Sequence, residues 1–393
     1  MITVKEAKLA IQENIKPLGL HTLPLSLAAG HNLGADVYAE IDIPAFEQSS
    51  MDGYAIRFED HHQPLLIHGE MQAGATAQFT LLPQYAARIF TGAPLPIGAD
   101  TVVMQEKTTL TDGRLIISDP ALVKGSNVRN KGAEAKKGAL AISKGTRITP
   151  ATIGFLAGIG KTEATVNRVP SVGIIATGKE LQEPGKELSF GQVYESNSYA
   201  LTAALEQAQI SEINLYSADD NLDELSATLA EALSANDLVL LTGGVSVGDY
   251  DFVLRAATRC EITQIFHKVK QKPGKPLYFG KKDDKVVFGL PGNPSSVLSC
   301  FYQYVLLAIQ QLTNHSVCTL KTADAILTHD YVKPAGLTHF LKAHFDDGKV
   351  TPLNAQESFR MSSFAQANAM AELQEEQTEI AAGTTVKVYL FPV

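Results

Sequence analysis

Short apolar runs alternate with helix-like runs in residues 171–244, which read SVGIIATGKELQEPGKELSFGQVYESNSYALTAALEQAQISEINLYSADDNLDELSATLAEALSANDLVLLTGG. The apolar runs resemble buried strands in length and composition, and they lie at 171–176, 213–216 and 238–241. The helix-like runs lie at 198–208 and at 222–235, where leucines recur at helical spacing after a capping Asn221. Strands that alternate with helices indicate a parallel sheet covered on both faces. The pattern therefore predicts an α/β domain over residues 170–316.

The segments on either side of this domain have a different pattern. Residues 43–140 are rich in Gly, Pro and short β-like runs, which favours an irregular β-rich domain. Short strands return after Cys318, with Asp346-Asp347-Gly348 as a hairpin turn and a last strand at 384–390. We expect an α/β multidomain protein with four domains. Their predicted bounds are 1–42 with 141–169 (helical and linking), 43–140 (irregular β-rich), 170–316 (α/β) and 317–393 (β).

The chain is acidic overall. It has 42 Asp and Glu against 33 Lys and Arg among 393 residues, a net charge of −9, and 45% of its residues are hydrophobic. This hydrophobic content suits globular domains and excludes a disordered chain. An acidic surface binds nucleic acid poorly, because phosphate binding needs basic side chains. We therefore expect any anionic ligand to be held by a local basic cluster.

Two stretches bear on where the protein resides. The start of the chain, MITVKEAKLAIQENI, lacks the apolar core of a secretory signal and predicts a helix with Thr3 and Glu6 as a capping box. Residues 286–320 contain no Asp, Glu, Lys or Arg, but a Pro-Gly-Asn-Pro turn interrupts them, which favours a buried helix over a membrane span. The three cysteines show no metal-binding spacing. The sequence predicts a cytoplasmic protein without nucleic-acid or membrane partners.

Three loops that follow predicted strands are candidates for a ligand site. Ligands of open α/β sheets bind beyond the carboxyl ends of the strands. In the third loop, Asn293 can cap the following helix and Pro294 suits its first position, so backbone N–H groups there could bind an anion. The alternative is that the glycines are only turn residues, but three such loops at one edge favour a site. The loops are 177–180, 242–251 with Gly243 and Gly244, and 290–296 with Pro291 and Ser295.

A cluster of lysines could supply positive charge to this site. Lys268, Lys270 and Lys272 alternate, so on a strand they would share one face, and Lys275 follows in a Pro-Gly turn. The alternative is an edge strand protected from aggregation by lysines. That alternative explains Lys270 equally well but explains Lys275 poorly. The cluster favours a seat for phosphate or another oxyanion.

Carboxylates follow strands of the same predicted sheet, so their loops should converge. Mg2+ prefers carboxylate oxygens together with phosphate oxygens of a ligand. Each acid could equally be an ordinary exposed residue. The candidates for a metal–phosphate site are Glu180, Asp219, Asp220, Asp249 and Asp251.

Two further features have weaker support. Residues 244–248, Gly-Val-Ser-Val-Gly, match the nucleophile elbow of α/β-hydrolases, with Ser246 as the nucleophile. Acidic and aromatic residues follow at once where the elbow needs small ones, so we regard a serine hydrolase as the weaker alternative. Asp52 lies in a polar loop outside the α/β domain and on physical grounds could be a turn residue.

Taken in order, the motifs of the chain resemble those of the molybdopterin molybdenumtransferase (MoeA-type) family, which is related to the E domain of gephyrin. The resemblance covers nearly the whole chain. The matching segments are PAFEQSSMDGYA (44–55), TGAPLPIGADTVVMQE (91–106), NVRNKGAEAKKGAL (127–140), TGKELQEPGKELSFGQVYESN (177–197), TGGVSVGDYDF (242–252), KPGKP (272–276), GLPGNPSS (289–296) and MSSFAQAN (361–368).

The resemblance implies a central three-layer α/β domain that is molybdopterin-binding-like and a small C-terminal domain that is barrel-like. It implies an elongated homodimer with the active cleft between subunits. The implied reaction inserts molybdate into adenylylated molybdopterin and releases AMP, with Mg2+ or a similar cation as cofactor. Other proteins of molybdenum cofactor biosynthesis are implied as further partners.

The resemblance also implies roles for acids and for one threonine. Asp52 and Thr91 would belong to loops that face the active cleft of the partner subunit, with Asp52 a catalytic group. Glu180, Asp220 and Asp251 would surround the metal and the phosphate, and Glu180 and Asp251 would also be catalytic.

Further roles concern the basic residues and the third loop. Lys272, Lys275 and Ser363 would line the molybdate site, and residues 291–295 would shape the pocket for the pterin and the nucleotide. Lys342 stands where an oxyanion-binding Arg is expected, which replaces a planar fork with a point charge and bears on the choice between molybdate and tungstate.

Two other positions depart from the family pattern. Lys179 stands where Asp is usual, and Glu134 stands where a shorter carboxylate is usual. A rival interpretation is a scaffold or partner-binding protein built on the same fold. The retained lysines and acids favour the enzyme, because a scaffold would not need them.

Overall fold

The computed structural model describes residues 1–219, 221–244, 252–314 and 319–392. The chain forms two compact units, one of residues Met1–His21 with Asn167–Val393 and one of residues Thr22–Val166. The helices and strands from the start of the chain to residue 167 are α1 (Val4–Asn14), β1 (Leu20–Pro24), β2 (Val37–Tyr38), β3 (Gln48–Ser49), β4 (Gly53–Ile56), β5 (Leu65–Met71), β6 (Tyr85–Ile89), β7 (Thr101–Met104), β8 (Thr108–Thr111), β9 (Arg114–Ile117), β10 (Val128–Arg129), β11 (Leu140–Ile142), α2 (Pro150–Gly158) and β12 (Glu163–Asn167).

The unit Thr22–Val166 is β-rich and irregular, as its Gly and Pro content predicts. A mixed six-stranded sheet in the order β7-β4-β6-β5-β9-β8 lies in its middle, and three short 3-10 turns are its helical segments between residues 22 and 140. Two small cores line this sheet, whereas Leu33, Leu156 and Val166 belong to a separate core built from the ends of the unit. The central sheet and the ends of the unit therefore have separate hydrophobic cores.

The rest of the chain forms the α/β domain and the C-terminal domain. Its elements are β13 (Val172–Thr177), β14 (Leu181–Gln182), β15 (Val193–Tyr194), α3 (Asn197–Gln207), β16 (Ile213–Ala218), α4 (Leu222–Ala235), β17 (Leu238–Thr242), α5 (Phe252–Arg259), β18 (Thr263–His267), β19 (Gln271–Lys272), β20 (Tyr278–Lys282), β21 (Lys285–Leu290), α6 (Pro294–Cys300), a π-helical turn (Phe301–Val305), α7 (Leu306–Thr313), β22 (Lys321–Leu327), β23 (Tyr331–Val332), β24 (Thr338–Asp346), β25 (Lys349–Pro352), α8 (Met361–Gln366), β26 (Ala369–Leu373), β27 (Glu379–Ile380) and β28 (Thr385–Leu390).

The α/β domain has the three predicted layers. Its sheet has the order β16-β13-β17-β21-β20-β18, with β16, β13, β17 and β21 parallel and β20 and β18 antiparallel. Neighbouring residues of one strand serve opposite cores: Ile174 packs with α3, α6 and α7, and Ile175 packs with α4 and α5. This alternation follows from the two-residue period of a strand. The helix α1 also packs into the first of these cores, whereas the prediction grouped residues 1–42 with 141–169.

The C-terminal domain is a small closed barrel, in agreement with the predicted barrel-like fold. Its strands run β24-β25-β22-β28-β26 and return to β24, and the short β19 adds to β24 on the outside. The predicted hairpin turn joins β24 to β25, with Asp347 at φ 43° and Gly348 at φ 71°, the left-handed pair that tight hairpins need. Leu327, Val350 and Val388 fill the barrel.

The charge-free stretch folds as a buried helical segment. Residues 294–313 form α6, a π-helical turn and α7 in direct succession, and most of their side chains are buried against the sheet and α1. Over the described ranges of the chain, no helix is both long and apolar enough to cross a bilayer.

A half-buried lysine joins α1 to the helical segment and to the barrel. Lys8 Nζ donates to Gln303 Oε1 (2.6 Å) and to Tyr389 Oη (3.3 Å), and it lies 4.9 Å from the centre of the Tyr389 ring. Tyr389 in turn donates to Glu372 Oε2 (2.7 Å). Burial lowers the pKa of Lys8 to about 8. The contacts of the ammonium group stabilise its charged form, but its desolvation on folding costs more free energy than these contacts return, so the pKa falls.

We predict that Lys8 makes the protein more stable as the pH rises above about 8. Between about pH 8 and the usual lysine range near 10.5, the folded protein has lost a proton that the unfolded chain keeps, so the free energy of unfolding rises with pH. Relative to Lys8→Met, wild-type protein should gain about 2 kcal/mol between about pH 7 and pH 9.5 in denaturant titrations. Lys5→Met, on an exposed position of the same helix, is the control and should follow the wild type. Parallel pH profiles for Lys8→Met and wild type would contradict the prediction.

Candidate functional site

A cavity of about 770 Å3 lies within the unit that contains the α/β sheet and the barrel. Its walls come from Leu337 and from four segments of the chain. These are residues 180–197 after β13, residues 271–276 around β19, residues 291–296 after β21, and residues 356–359 before α8. The cavity size is typical of sites for small organic ligands.

The carboxyl ends of the parallel strands meet at this cavity. Asn197, the first residue of α3, donates from Nδ2 to Thr242 Oγ1 (2.8 Å) and to the Gly292 carbonyl oxygen (2.9 Å). Gly243 has φ 91°, and a Cβ atom on it would lie 2.3 Å from the Thr177 carbonyl oxygen. Only glycine permits this approach. The described starts of the three loops are thus held together. Of the candidates in these loops, Glu180, Pro291, Asn293 and Pro294 line the cavity, whereas Gly243, Gly244 and Ser295 do not.

Two of the four candidate lysines line the cavity. Lys272 and Lys275 are exposed at its wall, and their ammonium groups form no hydrogen bond or ion pair with the other described residues. The predicted strand with three lysines on one face is wrong, because β19 spans only Gln271–Lys272 and Lys268 has a left-handed φ of 69°. Lys270 instead pairs with Glu375 (2.7 Å) and lies outside the cavity.

Buried polar groups hold the loop that carries these two lysines. The Tyr304 hydroxyl donates to Gln271 Oε1, and Gln271 Nε2 donates to the Gly274 carbonyl oxygen (3.0 Å). Cys300 Sγ lies below the loop, and burial raises the pKa of its thiol to about 12, so it stays protonated and is not a nucleophile. Sequence reasoning missed Gln271 and Tyr304. The available signal for Tyr304 was its hydroxyl group, which lies in a helical stretch without charged residues.

The third loop differs from its predicted role in one respect. Pro294 takes the first helical position as expected, and Asn293 takes the cap position, but the Asn293 side chain donates to Ser358 Oγ (2.7 Å) instead of capping the helix. Ser295 is fully buried, and its backbone N–H donates to the Ser358 carbonyl oxygen (3.0 Å). The expectation that the Ser295 N–H is open to an anion is therefore wrong, because the segment before α8 already satisfies it.

Lys342 and Ser363 lie behind the cavity wall. Lys342 is 2% exposed, and its Nζ donates to the carbonyl oxygens of Ala355, Glu357 and Arg360. Ser363 is 5% exposed, and its hydroxyl also donates to Ala355 (2.7 Å). Neither side chain lines the cavity, contrary to the expectation that both would contact an oxyanion.

Two of the candidate carboxylates, Glu180 and Asp219, are among the described residues. Glu180 is exposed at the cavity wall, and Asp219 is exposed after β16. Asp220, Ser246, Asp249 and Asp251 lie outside the described residues. Over the described ranges, no group of three His, Cys, Asp or Glu side chains is arranged to hold a metal ion.

Asp52 and Thr91 form a local pair in the unit Thr22–Val166. Asp52 Oδ1 accepts hydrogen bonds from the Thr91 backbone N–H and from the Thr91 hydroxyl, both at 2.8 Å. The backbone hydrogen bond, followed by the hydroxyl, lowers the pKa of Asp52 below its usual range. Asp52 is therefore an exposed, ionised carboxylate, and one of its oxygens is held in a fixed position.

Three family models match successive parts of the chain. They are described as the MoeA N-terminal region (domain I and II) over residues 2–160, a probable molybdopterin binding domain over 173–311, and the MoeA C-terminal region (domain IV) over 324–391. Together they span most of the chain, in the order that the sequence motifs predict.

Full-length relatives and a solved structure agree with these matches. The molybdopterin molybdenumtransferase of Haemophilus influenzae is 34% identical over 401 residues, covering 100% of this chain and 99% of that protein. The molybdopterin molybdenumtransferase of Bacillus subtilis is 36% identical over 376 residues, covering 91% of this chain and 86% of that protein. The crystal structure of a molybdopterin biosynthesis MoeA protein from Pyrococcus horikoshii superposes with a TM-score of 0.83 and 29% identity over 100% of both chains.

We predict that Gly274→Ala destabilises the protein through two separate effects. Gly274 has φ 85°, which costs a residue with a Cβ atom roughly 1–2 kcal/mol, and its new Cβ would lie 2.5 Å from Cys300 Sγ. Gly185→Ala is a matched control in a second Pro-Gly turn, with φ 90° and open space around the new atom. Denaturant titrations should show the larger loss for Gly274→Ala. Adding Cys300→Ala should recover part of that loss, and equal losses at the two glycines would refute the close contact.

Proposed function

The chain belongs to the MoeA family of molybdopterin molybdenumtransferases, and from this premise we propose that it inserts molybdenum from molybdate into adenylylated molybdopterin and releases AMP. Membership confirms the family resemblance that the eight sequence motifs indicate. It also confirms the prediction of a transferase in molybdenum cofactor biosynthesis.

The observation that carries the proposal is a pair of ammonium groups that have no partner among the described residues and lie in a large cavity of an acidic protein. Lys272 and Lys275 line a space of about 770 Å3, which is enough for a pterin and a nucleotide moiety. By contrast, Lys270 pairs with Glu375, and Lys342 donates to three carbonyl oxygens. An ammonium group binds a tetrahedral oxyanion as a compact point charge with rotatable donors.

The proposed reaction assigns each wall of the cavity a role. Lys272 and Lys275 hold molybdate while the two sulfurs of the dithiol replace two of its oxygens as ligands of molybdenum. The two displaced oxygens leave as two water molecules, which take two protons from the thiols and two from the solvent. A water molecule attacks the pyrophosphate bond of the adenylylated substrate, so that AMP leaves and a phosphate monoester remains on the pterin. The loop 291–294 and residues 356–359 orient the substrate, because they line the same cavity as the two lysines.

We propose Mg2+ as the cofactor, with Glu180, Asp220 and Asp251 as its ligands. Glu180 supports this proposal because its carboxylate is exposed at the cavity wall, close to Gly178. A divalent cation bound there would neutralise phosphate charge as AMP leaves. Asp220 and Asp251 are proposed as ligands from the family resemblance alone.

The assembly and the location of the protein are further proposals. We propose a homodimer in which Asp52 and Thr91 of one subunit complete the active cleft of the other. The fixed, ionised Asp52 carboxylate supports a catalytic role. We also propose a cytoplasmic location, as a biosynthetic enzyme of this family would have, and other proteins of the same biosynthesis as partners.

A direct assay tests the function. Purified protein is incubated with adenylylated molybdopterin, molybdate and Mg2+, and AMP and active cofactor are measured. The scaffold interpretation predicts no AMP release above that of a boiled sample. A fluorophosphonate probe tests the hydrolase alternative in parallel, and we expect it to leave Ser246 unlabelled.

We predict that Lys272→Ala and Lys275→Ala each raise the molybdate concentration for half-maximal activity by about tenfold, the cost of losing one hydrogen bond to a charged group. Lys270→Ala is the matched control, because its ammonium group pairs with Glu375 outside the cavity. Molybdate titrations and light-scattering measurements of the three variants distinguish anion binding by the lysines from protection of an edge strand against aggregation. Aggregation of all three variants with unshifted titrations would favour edge protection over anion binding.

We predict that two impaired variants restore activity to each other when they share a dimer, in an assay at a molybdate concentration well below the half-saturating concentration of Lys272→Ala. Asp52→Asn and Lys272→Ala would damage opposite contributions to each cleft, so a mixed dimer contains one intact cleft. Random exchange of subunits should restore about a quarter of wild-type AMP release, since half of the dimers are mixed and each has one working cleft. Mixing Lys272→Ala with Lys275→Ala is the control and should restore nothing, because both lysines lie in one loop. A mixture no more active than its components would rule out a shared cleft.

A further inference from the structure

The segment 353–360 is organised around one residue of the barrel, Lys342 on β24. The Lys342 backbone N–H donates to Gln356 Oε1 (3.0 Å), and the Lys342 carbonyl oxygen accepts from Gln356 Nε2 (2.8 Å) and from the Leu353 N–H (2.9 Å). The Gln356 side chain thus continues the hydrogen bonding of β24 beyond the end of β25. Gln356 also lines the cavity, so the wall is fixed directly to the barrel.

The Lys342 side chain is fully occupied within the protein. Its Nζ lies 2.9 Å from the carbonyl oxygen of Ala355, 3.1 Å from that of Arg360 and 3.3 Å from that of Glu357. An ammonium group has three N–H donors and no acceptor. Three carbonyl oxygens therefore use all the donors of Lys342, and no donor is left for an oxyanion.

The bend that these contacts hold is unfavourable by itself. Ala355 has φ 62°, a left-handed conformation that costs a residue other than glycine roughly 1–2 kcal/mol. Its carbonyl oxygen receives both the Lys342 ammonium group and the Ser363 hydroxyl (2.7 Å). Two donors that converge on one carbonyl explain why the strained bend persists.

The far side of the same loop is attached to the helical segment of the α/β domain. Ser358 accepts from Asn293 Nδ2 at Oγ (2.7 Å) and from the Ser295 N–H at its carbonyl oxygen (3.0 Å). Ser358 and Phe359 line the cavity between these attachments. The position of this wall therefore depends on Lys342 from one side and on Asn293 and Ser295 from the other.

We propose that Lys342 is a positioning residue, which sets the cavity wall formed by Gln356, Ser358 and Phe359 against the adenylylated substrate and binds no oxyanion. The proposal rests on the proposed function for the identity of that substrate. It corrects the expectation of an oxyanion ligand at this position, and it assigns oxyanion binding to the Lys272–Lys275 loop. An Arg at position 342 could perform the same task, because its guanidinium group offers five donors to the same carbonyl oxygens.

The experiment compares three variants of the full chain by two measurements. Lys342→Met keeps much of the side-chain length and removes every donor, Lys342→Arg restores donors, and Lys272→Met is the matched variant of an oxyanion lysine. Hydrogen–deuterium exchange of peptides that cover residues 353–362 reports on the loop in the protein alone. Steady-state AMP release gives KM for adenylylated molybdopterin and the half-saturating concentration of molybdate.

We expect Lys342→Met to accelerate exchange in residues 353–362 and to lower kcat/KM for adenylylated molybdopterin by about tenfold or more, as misplaced binding groups do. Its half-saturation by molybdate should equal that of wild type, whereas Lys272→Met should shift it. Lys342→Arg should restore both the exchange and kcat/KM.

A shift in molybdate half-saturation for Lys342→Met like that for Lys272→Met, with unchanged exchange, would overturn the proposal. If Lys342→Met does not fold, Ser363→Ala removes the second donor to Ala355 and should give the same pattern in milder form; unchanged exchange in that variant counts against the proposal. Absence of AMP release by wild type would refute the proposed function, while the exchange comparison would still decide whether Lys342 holds the loop.

Discussion

The cavity depends on how closely the backbone of one strand end approaches the next. Gly243 fits against the Thr177 carbonyl oxygen only because it lacks a Cβ atom, and Gly292 comes within reach of the same loop. The Asn197 side chain then joins the second and third loops, because its Nδ2 donates to Thr242 Oγ1 and to the Gly292 carbonyl oxygen. A parallel sheet brings its loops to one edge in any case, but their separation decides whether they leave a gap or a bounded site. Here the glycines set that separation, and the remaining contacts are built upon it.

Buried polar groups hold two further walls of the cavity in place. Gln271 and Tyr304 hold the loop that carries Lys272 and Lys275, and Lys342 holds the loop 353–360 from the barrel. Each of these groups is costly to bury without partners, so its geometry is strict when the partners are present. The cavity thus has walls from two domains that are fixed by hydrogen bonds instead of by apolar packing alone.

Much of the fold was predictable from the sequence because local signals agree with the final packing. The helix Leu222–Ala235 has the predicted bounds, and the Thr3–Glu6 capping box is formed in full. The site was less predictable, since it depends on contacts between segments far apart in the chain. Alternating lysines suggested a strand, but the left-handed Lys268 breaks that alternation, and the helix start at Asn293 is occupied by Ser358, 65 residues later. The residues around Lys268 and around Asn293 contain no sequence signal for either feature.

The lysines show why charge alone is an incomplete guide to an anion site. Lys8 donates to Gln303 and Tyr389, Lys270 pairs with Glu375, and Lys342 donates to three carbonyl oxygens, so these ammonium groups serve the fold. Each of these three ammonium groups directs at least one donor to a partner within the protein. An oxyanion in water already has strong hydrogen bonds, and a site must replace them with donors as well as with charge. By that criterion Lys272 and Lys275 differ from the others in kind, since each brings to the cavity both a charge and donors that the described protein does not use.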